Sequence, residues 1–163
     1  MLELIQDFYL HQEWADAQQW GAVRAFPPAM ADEGLRLRLF HIHAVQQVWL
    51  ARWQGVRLSF PKPENYPRTE DLFTFAKSCH AALRAYLSQR SEADLKLPVE
   101  YQNIHGETFT QSLGDLLLHL PYHSQYHRGQ TAQAMVALGS HMPPTDLVVW
   151  QRAGRPRAEW NVE

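Results

Sequence analysis

Four long stretches with apolar residues at helical spacing, separated by proline and glycine punctuation, limit what this chain can fold into. From Leu2 to about Val23 there is no proline, and Leu, Gln, Glu and Ala dominate, which predicts a first helix. Phe26-Pro27-Pro28 ends it, because proline cannot continue the hydrogen-bond ladder. A second helix is predicted from near Asp32 to Trp53. Its Leu35, Leu39, Ile42, Gln46, Trp49 and Trp53 step by four and three along one buried face, with Gly55 as the stop. The stretch from Phe60 to Pro67 holds three prolines and reads as an extended loop.

A third helix is expected from an N-cap at Thr69 to about Gln89, with Leu72, Cys79 and Leu83 on its apolar stripe. Short alternating runs on either side of Asn103-Ile104-His105-Gly106 predict a small β-hairpin. A fourth helix then runs from about Ser112 to Leu138, closed by Gly139 and Pro143-Pro144. Residues 146–163 read as a partly disordered C-terminal extension. The pattern predicts an all-α fold, a four-helix bundle with a hairpin insert before the last helix, as one domain over residues 1–163.

Composition narrows the function classes. The chain has 163 residues and a formal charge of -2, so no basic excess exists to track phosphates and nucleic acid is not an expected partner. No stretch approaches the roughly 20 apolar residues of a membrane helix, and the N-terminus is no signal peptide. A lone Cys79, expected in the core, fits a reducing compartment, so a soluble cytoplasmic protein is predicted.

Nine histidines remain, and three of them, His119, His123 and His127, are spaced by four. His123 and His127 continue the inward stripe of the fourth helix, one turn apart, within about 6 Å at Cβ, close enough to converge on one metal ion. A lone histidine on an apolar face is usually a core residue with one hydrogen bond; two in register imply a shared partner. His119 is rotated to one side. On the second helix His41 flanks the apolar row, whereas His43 falls toward the polar side, so His41 is the expected third ligand. Three neutral imidazoles would leave coordination positions open, the arrangement of a catalytic site. Imidazole suits several divalent transition metals. His11 and His80 are expected at the surface or its boundary, His105 and His141 in solvated loops. The Trp residues at helical spacing (Trp14, Trp20, Trp49, Trp53) read as core or dimer contacts. Gly129 inside the fourth helix suggests close approach of another helix.

Leu118-His119-Leu120-Pro121-Tyr122-His123-Ser124-Gln125-Tyr126-His127-Arg128-Gly129-Gln130 resembles the H-x-x-x-H-x-x-[YH]-H-R-G-Q helix of the DinB/YfiT-like superfamily. The second helix resembles that family's pattern of a His eight residues before Trp-Leu, a spacing that His41 has. Trp14-Ala15-Asp16, Gly106-Glu107 and Pro143-Pro144-Thr145-Asp146-Leu147 match further. The resemblance implies an up-up-down-down-type bundle, usually homodimeric, with a divalent metal, zinc or nickel, on His41, His123 and His127. It also implies a metal-dependent enzyme, a thiol-dependent transferase or a hydrolase, acting on a small molecule such as a low-molecular-weight thiol. A non-catalytic metal- or ligand-binding bundle for stress response is the alternative. Two positions depart from the family: Gln46 stands where members often carry an acid, and Pro121 is expected to kink the fourth helix.

Overall fold

The computed structural model describes residues 1–56 and 59–160. The helices are α1 (Leu2–Arg24), α2 (Pro27–Ala31), α3 (Glu33–Trp53), α4 (Thr69–Leu87), α5 (Leu113–Ala137) and α6 (Leu147–Arg152). The strands β1 (Pro98–Gln102) and β2 (Thr108–Ser112) lie between α4 and α5 and pair antiparallel, with Tyr101 opposite Phe109. None of the described helices is long and apolar enough to cross a membrane.

Local chemistry sets most boundaries. Asp32 caps α3 by accepting from the Leu35 N–H at 2.6 Å, and Ser112 caps α5 by accepting from the Asp115 N–H at 3.2 Å. Gly139 ends α5 at φ +90°, a conformation open to glycine without strain. Pro27-Pro28 do more than stop α1. A proline at the first helical position is pre-set for a new helix, so the same pair starts the short α2. Thr69 is inside α4 rather than its cap; its hydroxyl donates to the Met30 carbonyl at 2.9 Å, a tertiary partner. The expected disorder after residue 146 does not hold over the described residues. There α6 buries Trp150 (1% exposed) against Trp14 and Ala15. Residues 161–163 lie outside the described residues.

Beside the smaller cluster around Trp14 and Trp150, most of the core falls into two large apolar clusters. Ile5, Tyr9, Trp49, Trp53, Leu83, Leu87, Leu113 and Leu117 belong to one, and Trp20, Val23, Leu35, Leu39, Leu72, Cys79 and Met135 to the other. Each long helix starts in one cluster and ends in the other, which fixes its direction. Helices α1 and α5 run one way, α3 and α4 the opposite way. This up-down-down-up order corrects the up-up-down-down order implied by the resemblance. Its physical basis is connection length: α2 folds the chain straight back after α1. The start of α4 lies beside the start of α3, where Thr69 bonds to the Met30 carbonyl and Arg36 to the Tyr66 carbonyl.

Pro121 sits buried inside an unbroken α5. It has no N–H, so the Leu117 carbonyl four residues earlier loses its helical donor. The Tyr9 hydroxyl donates to that oxygen at 3.0 Å. Among the described residues no helix approaches Gly129: a Cβ there would meet no atom within 4 Å. The four Trp residues read as core or dimer contacts are all buried within the one chain.

Candidate metal centre

A polar layer separates the two apolar clusters, and every long helix contributes to it. From α1 come Asp16, Gln19 and Trp20; from α3, His43 and Gln46; from α4, His80; from α5, Ser124, Arg128 and Thr131, all buried. The hydrogen bonds have one consistent direction. Trp20 Nε1 donates to His43 Nε2 at 2.9 Å, which leaves the proton of the neutral ring on Nδ1. That nitrogen donates to Gln46 Oε1 at 2.9 Å, turning the Gln46 amide nitrogen toward Asp16 Oδ2, also at 2.9 Å. His80 Nε2 donates to the same oxygen at 2.8 Å, and Arg128 Nη1 donates to Asp16 Oδ1 at 2.8 Å. Burial alone would raise the Asp16 pKa. The Arg128 guanidinium and the His80 hydrogen bond outweigh it and hold the carboxyl well below the usual range. Burial pushes the His43 imidazole down to about 4.

Asp16, His43 and His80 each offer a donor atom within 4.8 Å of the others. Here the demand for a cation is already met. Arg128 neutralises Asp16, and the Trp20 N–H occupies the lone pair of His43.

His41, His123 and His127 form the other such group, their three donor atoms within 4.8 Å of one another. His41 projects from α3 and the other two from α5. Ring centroids are 4.4 Å apart for His41 and His127, 4.4 Å for His123 and His127, and 5.4 Å for His41 and His123. All three are half-buried. Gln130 Oε1 accepts from His127 Nδ1 at 2.8 Å, which leaves Nε2 of that ring with a free lone pair. His123 Nδ1 is buried without a hydrogen-bond partner. Burial, then the neighbouring His127, His41 and His119 rings, pushes His123 down to about 4; burial and then His127 lower His41. Free lone pairs and an orphaned buried nitrogen fit a divalent transition metal. His119 is not in this group; its ring packs on Trp49 at 5.2 Å and on His123 at 5.7 Å.

A cleft of about 950 Å³ opens beside the histidines, lined by His41 and His123 together with Trp49, Arg52, Tyr101 and His119.

Several sequence expectations need correction. His43 does not face solvent: it is 1% exposed, more buried than His41, because α3 packs against α4 on one side and α5 on the other, and the His43 ring reaches Trp20 of α1 across the bundle. His80 (2% exposed) and His11 (7%) are buried too: Asp16 holds His80, and His11 pairs with the Thr145 carbonyl at 2.8 Å. The innermost stripe of α5 passes through Leu117, Leu120, Ser124, Arg128, Thr131 and Met135, leaving His123 and His127 on the flank toward α3. The sequence reading missed Asp16, Arg128, Gln46 and Gln130 as working parts. A signal existed: Gln12, Asp16 and Gln19 interrupt the stripe Ile5, Tyr9, Trp20, Val23, and polar residues at core positions need partners.

Comparison with curated proteins finds no significant match. The model of the DinB family matches residues 1–158. That match spans the histidine pair of α5, the Arg128–Asp16 layer and the His41 helix together, and the chain belongs to the DinB family.

Proposed function

We propose that the chain is a single-domain four-helix bundle that binds a divalent metal, zinc or nickel, through His41, His123 and His127 and acts as a metal-dependent enzyme on a small molecule. The observation that carries the reading is the convergence of the three imidazole donor atoms within 4.8 Å, beside a cleft that His41 and His123 also line. Held by these three imidazoles, such a cation would supply a Lewis acid that lowers the pKa of a water or thiol. The chain's own residues do the positioning. Gln130 holds His127 in one tautomer, and burial keeps His41 and His123 neutral. The cleft gives a substrate access to the same rings. Thiol-dependent transfer and hydrolysis are the two reaction classes to test, and a homodimer is the assembly to test.

Metal content of the purified chain decides the first step. His41→Ala, His123→Ala and His127→Ala, with unchanged helical signal, should each lose tight zinc or nickel binding, while His119→Ala keeps it. A full site in His41→Ala with an empty one in His119→Ala overturns the assignment. Loaded wild type and His123→Ala are then compared on thiol-conjugation and ester panels. Turnover absent from wild type leaves a metal-binding protein without catalysis.

A further inference from the structure

The cleft beside the histidines has a chemical character of its own. Arg52, on α3, lies between two aromatic rings, its Cζ 4.6 Å from the Trp49 centroid and 5.2 Å from that of Tyr101. Nη2 donates to the Gln102 carbonyl at 2.6 Å. Its remaining donors meet no carboxylate among the described residues. Glu100 also borders the cleft, but strand alternation places its side chain on the face opposite Tyr101. Around the mouth stand Val56 (55% exposed), Phe60 (50%) and Ile104 (87%), large apolar side chains left in water on one rim. A half-buried cation without an anion, ringed by apolar surface without a cover, is complementary to an amphipathic anion.

We propose that this cleft takes a small carboxylate with an apolar body: the free edge of the Arg52 guanidinium holds the carboxylate, and the Val56–Phe60–Ile104 rim covers the body. The guanidinium offers a carboxylate one bidentate edge, whereas a phosphate dianion calls for more donors. Bound so, the molecule lies against the wall that His41 and His123 share. The proposal names the substrate class for the metal centre proposed above and rests on that reading for its catalytic meaning, but the binding itself needs only Arg52 and the rim.

The test uses 4-phenylbutyrate, its uncharged amide and phenyl phosphate, titrated calorimetrically into the metal-free and the zinc-treated chain. The acid should bind the metal-free chain about 10- to 100-fold tighter than the amide, the range of a charge-assisted hydrogen bond. Arg52→Gln should abolish that preference, and Arg52→Lys should reduce it. Should Arg52→Gln lose its helical signal, Arg52→Lys carries the comparison. Equal binding of acid and amide, no binding of either, or a preference that survives the Arg52 variants overturns the proposal. So does a preference that appears only with zinc and ignores Arg52, which would assign the carboxylate to the histidines. Phenyl phosphate binding tenfold tighter than the acid overturns the carboxylate class. A chain that takes up no zinc yet keeps the Arg52-dependent preference separates failure of the metal reading from failure of this one.

Discussion

The Tyr9 hydroxyl donates to the Leu117 carbonyl at 3.0 Å, replacing from another helix the donor that Pro121 cannot supply. Tyr9 is 5% exposed, and burial, followed by the Tyr86 charge, raises its pKa well above the ordinary value, so it stays a donor. Tyr9→Phe should cost about 1–3 kcal/mol, the penalty of a buried acceptor left without a partner. In a Pro121→Ala background the helix can bond Leu117 itself, so the same substitution should cost clearly less. Urea unfolding of the four proteins reads the coupling, and additive costs would remove this role from Tyr9.

Arg128 and Asp16, both 2% exposed, are expected to be strongly coupled. Arg128→Met strands a buried carboxylate and should cost about 3–5 kcal/mol. Adding Asp16→Asn should recover part of that loss. A double variant as unstable as the sum of the singles would count against the pairing.

Stability should fall as pH drops below about 6.5. His43 is held at about 4 when folded, against about 6.5 when unfolded. Between those values the unfolded chain takes up a proton that the folded chain refuses, so stability declines as pH falls from 6.5 to 4 and this group adds no slope above 6.5. For His43 the loss between pH 7 and pH 5 is about 2 kcal/mol. Denaturant midpoints at both pH values check it, and His43→Gln should flatten the difference by its share.

Cys79 should not behave as a reactive thiol. Burial first, then the Asp16 charge, pushes it up to about 12. Iodoacetamide at pH 8 should label it only on unfolding. Fast labelling of the folded chain would contradict the packing of α4.

Gln130→Ala frees the Nδ1 proton of His127 from its acceptor. Zinc affinity should drop by about 10- to 100-fold with the helical signal intact, the usual effect of losing a partner that orients a ligand. Unchanged affinity would show that His127 needs no such support.

The sequence by itself determined the elements and part of the site. Helix and hairpin positions follow from periodicity and from proline, glycine and capping chemistry, all local forces, so Asp32, Ser112 and Gly139 mark real boundaries. The four-residue step from His123 to His127 is likewise local, since one turn of helix brings the two ring centroids within 4.4 Å of each other. What only tertiary structure decided is which helical face meets which neighbour. Because α3 is covered on both sides, His43, read as facing solvent, is buried against Trp20 and Gln46, while His41 meets two histidines of α5. The same holds for Arg128, a charged residue on the buried stripe of α5: its place is intelligible only once Asp16, 112 residues away in the chain, stands 2.8 Å from it. Periodicity measures which residues share a face. It carries no information about the partner, and burying a charge is decided by the partner.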